Sequence, residues 1–139
     1  RALKVWLALR QVGRQGYERM IGDDIRLTRE LYRLVESEPE LEAHTCELSI
    51  ATFRFVPKDL RSGSDEIEHY LDELNEKVLV GLKTGGEAFV SNAVIDGTFL
   101  LRTCIVNFRT SSSDVRQLPG IVTRVGREID RASRPDALR

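Results

Sequence analysis

The stretch that decides the fold runs Ala88-Phe89-Val90-Ser91-Asn92-Ala93-Val94-Ile95-Asp96-Gly97-Thr98-Phe99-Leu100-Leu101-Arg102-Thr103-Cys104-Ile105-Val106-Asn107. Two β-rich runs, 88–95 and 98–107, flank Asp96-Gly97. That pair suits a two-residue hairpin turn, whose central residues both need positive φ. An antiparallel hairpin is therefore expected here, and the rest of the chain is read outward from it.

Upstream of the hairpin, Ile67, Tyr70, Leu71, Leu74, Val78 and Leu82 mark one face of a helix. Ser64 is placed to cap that helix ahead of Asp65-Glu66, and Gly85-Gly86 to end it. Downstream, Ser111-Ser112-Ser113-Asp114 precedes a second stripe of Val115, Leu118, Val122, Val125 and Ile129. The serines read as a cap, since an anion site at a helix N-terminus needs more than this. Pro119 predicts a kink within this helix, or a main helix that starts at Pro119.

Residues 41–57 alternate at Cys46, Leu48 and Ile50, then change parity at Ala51, Phe53 and Phe55. The change of phase predicts one strand with a bulge or two short strands. Ahead of it, Tyr17, Met20, Ile21, Leu27, Leu31, Leu34 and Val35 define a helix that Pro39 stops, and Gly13 and Gly16 separate it from an earlier one. In that first helix Ala2, Leu3, Val5, Trp6, Leu7, Ala8, Leu9 and Val12 leave only a narrow polar stripe of Lys4, Arg10 and Gln11. This is the pattern of a helix covered on several sides. No Ser, Thr, Asp or Asn precedes it, so the chain is expected to be part of something larger.

The expected order is α-α-β-α-β-β-α. It predicts an α+β domain over 1–131, a small antiparallel sheet of three to four strands with helices on one face, and a solvated polar tail over 132–139. At 139 residues one core is expected. With 21 basic and 22 acidic side chains the charge is balanced, which gives no footprint for nucleic acid or an anionic membrane surface. No run approaches the length of a spanning helix. Cys46 and Cys104 read as reduced residues in strands, and a cytoplasmic setting is expected. Among His44, Cys46 and His69 too few groups converge for zinc.

The blocks Arg1-Ala2-Leu3-Lys4-Val5-Trp6, Gly13-Arg14-Gln15-Gly16-Tyr17 and Phe99-Leu100-Leu101-Arg102-Thr103-Cys104-Ile105-Val106-Asn107-Phe108-Arg109-Thr110 resemble the carboxy-terminal part of the pyridoxal-phosphate-dependent (group II) amino-acid decarboxylases. That family includes the aromatic-L-amino-acid, histidine and glutamate enzymes, and the blocks look closer to the aromatic branch. The similarity extends from Arg1 to about Asp130 in the family's order. It implies the small C-terminal domain of a fold-type-I enzyme, with a missing large domain that carries pyridoxal 5'-phosphate (PLP) on a lysine following a histidine. In this chain His44 is followed by Thr45 and His69 by Tyr70. Lys4, Lys58, Lys77 and Lys83 therefore match no such motif, and this segment is expected neither to bind PLP nor to catalyse by itself. A homodimeric parent acting on an amino acid is implied.

One residue is a candidate for the parent's site. Arg102 shares strand parity with Leu100, Cys104 and Val106, so a guanidinium sits in an otherwise apolar row, where burial without a partner would be costly. The resemblance implies a place near the active site and, by similarity to the glutamate-specific members, a contact to the substrate carboxylate, a task suited to bidentate Arg–carboxylate pairing. The structural alternative is an ion pair with Glu47 or another acid. The alternative for the whole chain is a stand-alone small-ligand-binding or dimerisation module, which would leave the block similarity unexplained.

Overall fold

The computed structural model describes residues 2–60 and 63–138. Arg1, at the head of the first block above, lies outside them, as do two residues of the 58–64 loop and the last residue of the tail. The elements are α1 (Ala2–Ser37), β1 (Leu41–Glu47), β2 (Ile50–Phe55), α2 (Asp65–Gly85), β3 (Ser91–Ile95), β4 (Thr98–Cys104), α3 (Ser112–Ser133) and a 3-10 turn at Asp136–Leu138. The order is thus α-β-β-α-β-β-α. The two helices expected at the start meet at Gly13, whose φ of 67° and ψ of 172° leave the helical region, and are counted together as α1; Gly16 stays helical.

The four strands form one antiparallel sheet in the order β1-β2-β4-β3. The Asp96-Gly97 turn has φ of 51° and 85° at its two centres, as the hairpin requires. The 41–57 segment is two strands and also carries a bulge, between Ala43 and Thr45, which places Thr45 opposite Thr52. Its tight turn holds Leu48 at φ 51°.

Leu41, Phe53, Phe55 and Leu101 face the helices and build the core with Leu31, Val35, Leu71, Leu74, Val78, Leu82, Val115 and Val122. Burying each such side chain contributes about 1.5–3 kcal/mol. Gly126 of α3 lets that helix approach closely, because a Cβ there would lie 2.6 Å from the Phe55 ring. Alternate positions, Glu42, Thr52, Arg54, Leu100, Arg102 and Cys104, form the opposite face.

The expected caps are present. Ser64 accepts from the Ile67 amide, Gly86 ends α2 at φ 70°, and Ser111 with Asp114 forms a capping box. α3 runs through Pro119 without stopping, so the helix does not start there. Proline removes the bond to the Val115 carbonyl, and burial of Val115, Pro119 and Val122 offsets that loss.

Residues 132–138 are tied to the domain, unlike the solvated tail expected. Tyr70 Oη donates to Asp130 Oδ1 at 2.7 Å, and Arg134 Nη2 donates to Asp130 Oδ2 at 2.6 Å. Arg134 also pairs with Asp59, and Leu138 packs against the core.

α2 is tied to the sheet where the β2–β4 ladder stops at Phe53 and Leu101. Beyond that pair, the Phe55 amide donates to Asn75 Oδ1 at 2.8 Å, and Asn75 Nδ2 donates to the Phe55 and Leu71 carbonyls at 2.9 and 2.8 Å. On β4 the Phe99 amide donates to Asp72 Oδ1 at 2.8 Å.

Two predictions follow from these buried polar groups. Asn75→Leu leaves the Phe55 amide and carbonyl without partners, so chemical denaturation should show a loss of about 3 kcal/mol or more. Burial and then the Asp130 contact push Tyr70 up to about 12. An unfolded tyrosine titrates near about 10, so the neutral form is favoured in the fold. Its stabilisation is complete below that value and falls as pH rises from there toward about 12. Tyr70→Phe should flatten the fall in stability measured across this alkaline window.

Candidate functional site

Arg102 stands near the middle of β4 on the face away from the core cluster. It is exposed, so the desolvation cost expected for a buried apolar row does not arise here. Cys104 and Val106 of that row are exposed too, and only Leu100 is buried. The anticipated ion pair with Glu47 is absent, and among the described residues no carboxylate lies within salt-bridge distance of Arg102.

The partner that does reach Arg102 is Ser91 of β3. Arg102 Nε donates to Ser91 Oγ at 3.0 Å, while Ser91 Oγ donates to the Arg102 carbonyl at 3.2 Å. The two residues are direct cross-strand neighbours. On the other side Arg102 registers with Thr52, whose hydroxyl lies 2.6 Å from the Thr45 hydroxyl and accepts from the Thr45 amide at 3.1 Å. The row Ser91, Arg102, Thr52, Thr45 is therefore a polar stripe across this face, with one exposed cation on it beside a buried Thr52. Ser91 was missed in the sequence reading although the signal was there. Counting outward equally from Asp96-Gly97 puts Ser91 opposite Arg102.

Arg54 differs in its surroundings. It is buried between Glu42, with Nη2 at 3.1 Å from Oε1, and Glu68 of α2, with Nη1 at 2.6 Å from Oε2. Burial works against its charge, and the two carboxylates more than restore it, holding its pKa above the ordinary arginine value. A groove of about 800 Å³ beside it is lined by Tyr32, Glu36, Leu41 and Leu71 among others. The arginine there is already matched by acids and offers no free cation.

Lys4, Lys58, Lys77 and Lys83 are all exposed, and neither histidine precedes a lysine. The residues present do not fit covalently held PLP. His44 is exposed at the bulge, and His69 lies 3.4 Å from Glu73 one turn along α2. Among the described residues no three His, Cys, Asp or Glu side chains converge as a metal site. Both cysteines are free thiols. No helix is long and apolar enough to cross a membrane.

The second notable surface is the first part of α1. Leu3, Val5, Trp6, Leu7 and Leu9 are each more than half exposed, and the first buried residue of the helix is Leu27. The sequence pattern of a covered helix thus meets no cover among the described residues. Apolar side chains contiguous on this scale mark an interaction surface.

No protein-family model matches the chain. Curated homologues include aromatic-L-amino-acid and tyrosine decarboxylases. The chain is 28% identical over 130 residues to an aromatic-L-amino-acid decarboxylase of Bacillus atrophaeus, covering 93% of this chain and 26% of that protein. It is 29% identical over 118 residues to a phenylacetaldehyde synthase of Arabidopsis thaliana, covering 84% and 23%. The chain spans about a quarter of the length of these relatives. Among solved structures it matches Oryza sativa TDC, crystallised with PLP and tryptamine, with a TM-score of 0.78 at 22% identity, over 91% of this chain and 26% of that one. The fold is that of a domain within these decarboxylases.

The exposed α1 surface gives a direct expectation. The isolated chain should bind a hydrophobic dye strongly and self-associate, and Trp6→Lys with Leu9→Lys should lower both in fluorescence titration and sedimentation.

Proposed function

We propose that these residues form the C-terminal domain of a PLP-dependent amino-acid decarboxylase, a carbon–carbon lyase, and that Arg102 takes part in holding the substrate carboxylate. The observation that carries this reading is Arg102 itself: an exposed guanidinium at mid-strand, unmatched by any acid of the described residues, within a block that resembles that family. Bidentate capture of a carboxylate is the task that a guanidinium with free Nη groups suits best. The similarity to aromatic-L-amino-acid and tyrosine decarboxylases supports an aromatic amino acid as the substrate class. The phenylacetaldehyde synthases among the homologues support locating the choice of product elsewhere in the polypeptide.

In this reading PLP is carried outside these residues, by a larger domain that also covers Leu3, Val5, Trp6, Leu7 and Leu9. The chain's own contribution is to orient the substrate: fixing its carboxylate restricts rotation about the bond that breaks. The parent is a cytoplasmic homodimer.

The test is kinetic. In the PLP-loaded full-length gene product containing these residues, CO2 release is measured from L-tryptophan, L-tyrosine and L-phenylalanine. Arg102→Ala should lower kcat/KM roughly a hundredfold on the preferred substrate with little change in Tm. Unchanged kinetics with a lowered Tm would reduce Arg102 to a structural residue.

A further inference from the structure

We propose that Ser91 is a positioning residue for Arg102, presetting the guanidinium to receive a carboxylate end-on. The proposal rests on the decarboxylase reading above and adds to it a residue on a different strand. An arginine presents five N–H groups, one on Nε and four on the two Nη atoms. In this structure the Nε–H is spent on Ser91 Oγ at 3.0 Å, and no acid takes the Nη groups. The edge that remains is the Nη1/Nη2 end, whose parallel N–H groups match the two oxygens of a carboxylate.

Ser91 is suited to this because both sides of its hydroxyl are committed. Its O–H donates to the Arg102 carbonyl at 3.2 Å, so its lone pair is turned toward Nε. The hairpin holds the two residues directly opposite one another, with four residues on each strand between Asp96-Gly97 and the pair. On the other flank the Thr52 hydroxyl is engaged by Thr45, and Arg102 Nε bonds Ser91 instead. Arginine carries a large rotamer entropy, and a fixed Nε lowers what must be lost when a carboxylate binds.

The experiment uses the PLP-loaded full-length gene product with L-tyrosine as substrate and tyramine, which lacks the carboxylate, as competitive inhibitor. Ser91→Ala should raise KM for L-tyrosine about tenfold, leave the tyramine inhibition constant within about twofold, and leave Tm unchanged. Ser91→Thr, which keeps the hydroxyl, should restore KM, and Ser91→Ala should cost nothing further in an Arg102→Ala background. If Arg102→Ala raises KM for L-tyrosine alone but Ser91→Ala does not, the positioning role is overturned while the role of Arg102 stands. If Arg102→Ala weakens tyrosine and tyramine equally, the carboxylate reading itself is overturned and Ser91 with it. Loss of Tm in Ser91→Ala with equal weakening of both ligands would show a merely structural serine.

Discussion

The fold depends on a substitution of side chain for backbone. β2 and β4 are paired only as far as Phe53 and Leu101, and past that point α2 inserts Asn75 and Asp72 where the ladder would continue. The two residues are three apart and so lie on one helix face. Asn75 answers both polar groups of Phe55, and Asp72 answers the amide of Phe99. Unpaired, those buried groups would cost about 1–3 kcal/mol each. Pairing them through α2 makes the helix and the two central strands one unit. The same contact sets the place of β4, and hence of Arg102, relative to the core.

Much of this architecture is legible in the sequence because its signals are local. The Asp96-Gly97 turn, the Ser64 and Ser111 caps and the Gly86 stop each follow from what a few atoms require. Less legible are features in which tertiary contact overrides local preference. Pro119 sits inside α3 because buried neighbours outweigh a lost hydrogen bond. Leu48 adopts a positive φ in a turn with no glycine or asparagine to announce it, so one long strand and two short ones looked alike. Arg134 reads as part of a polar tail, yet Asp59 and Asp130, remote and near in sequence, hold it against the domain.

The candidate site was half legible. Strand parity placed Arg102 on the correct face but suggested burial, since a row of Leu100, Cys104 and Val106 looks apolar on paper. The structure leaves Arg102 itself exposed, so the question for it is recognition and not desolvation. The exposed apolar start of α1 poses the complementary question of what covers it. Both are answered together if a larger domain closes over the sheet face and the first helix, bringing the substrate's carboxylate to the guanidinium while burying the aliphatic surface.

The most direct measurement is a crystal structure of the full-length gene product containing these residues, with PLP and a bound aromatic amino acid. The account predicts both Arg102 Nη atoms within hydrogen-bond distance of the amino acid's carboxylate, Ser91 Oγ still on Nε, and the first helix covered by the same polypeptide. Arg102 paired with a protein acid, or facing bulk solvent away from the ligand, would contradict it.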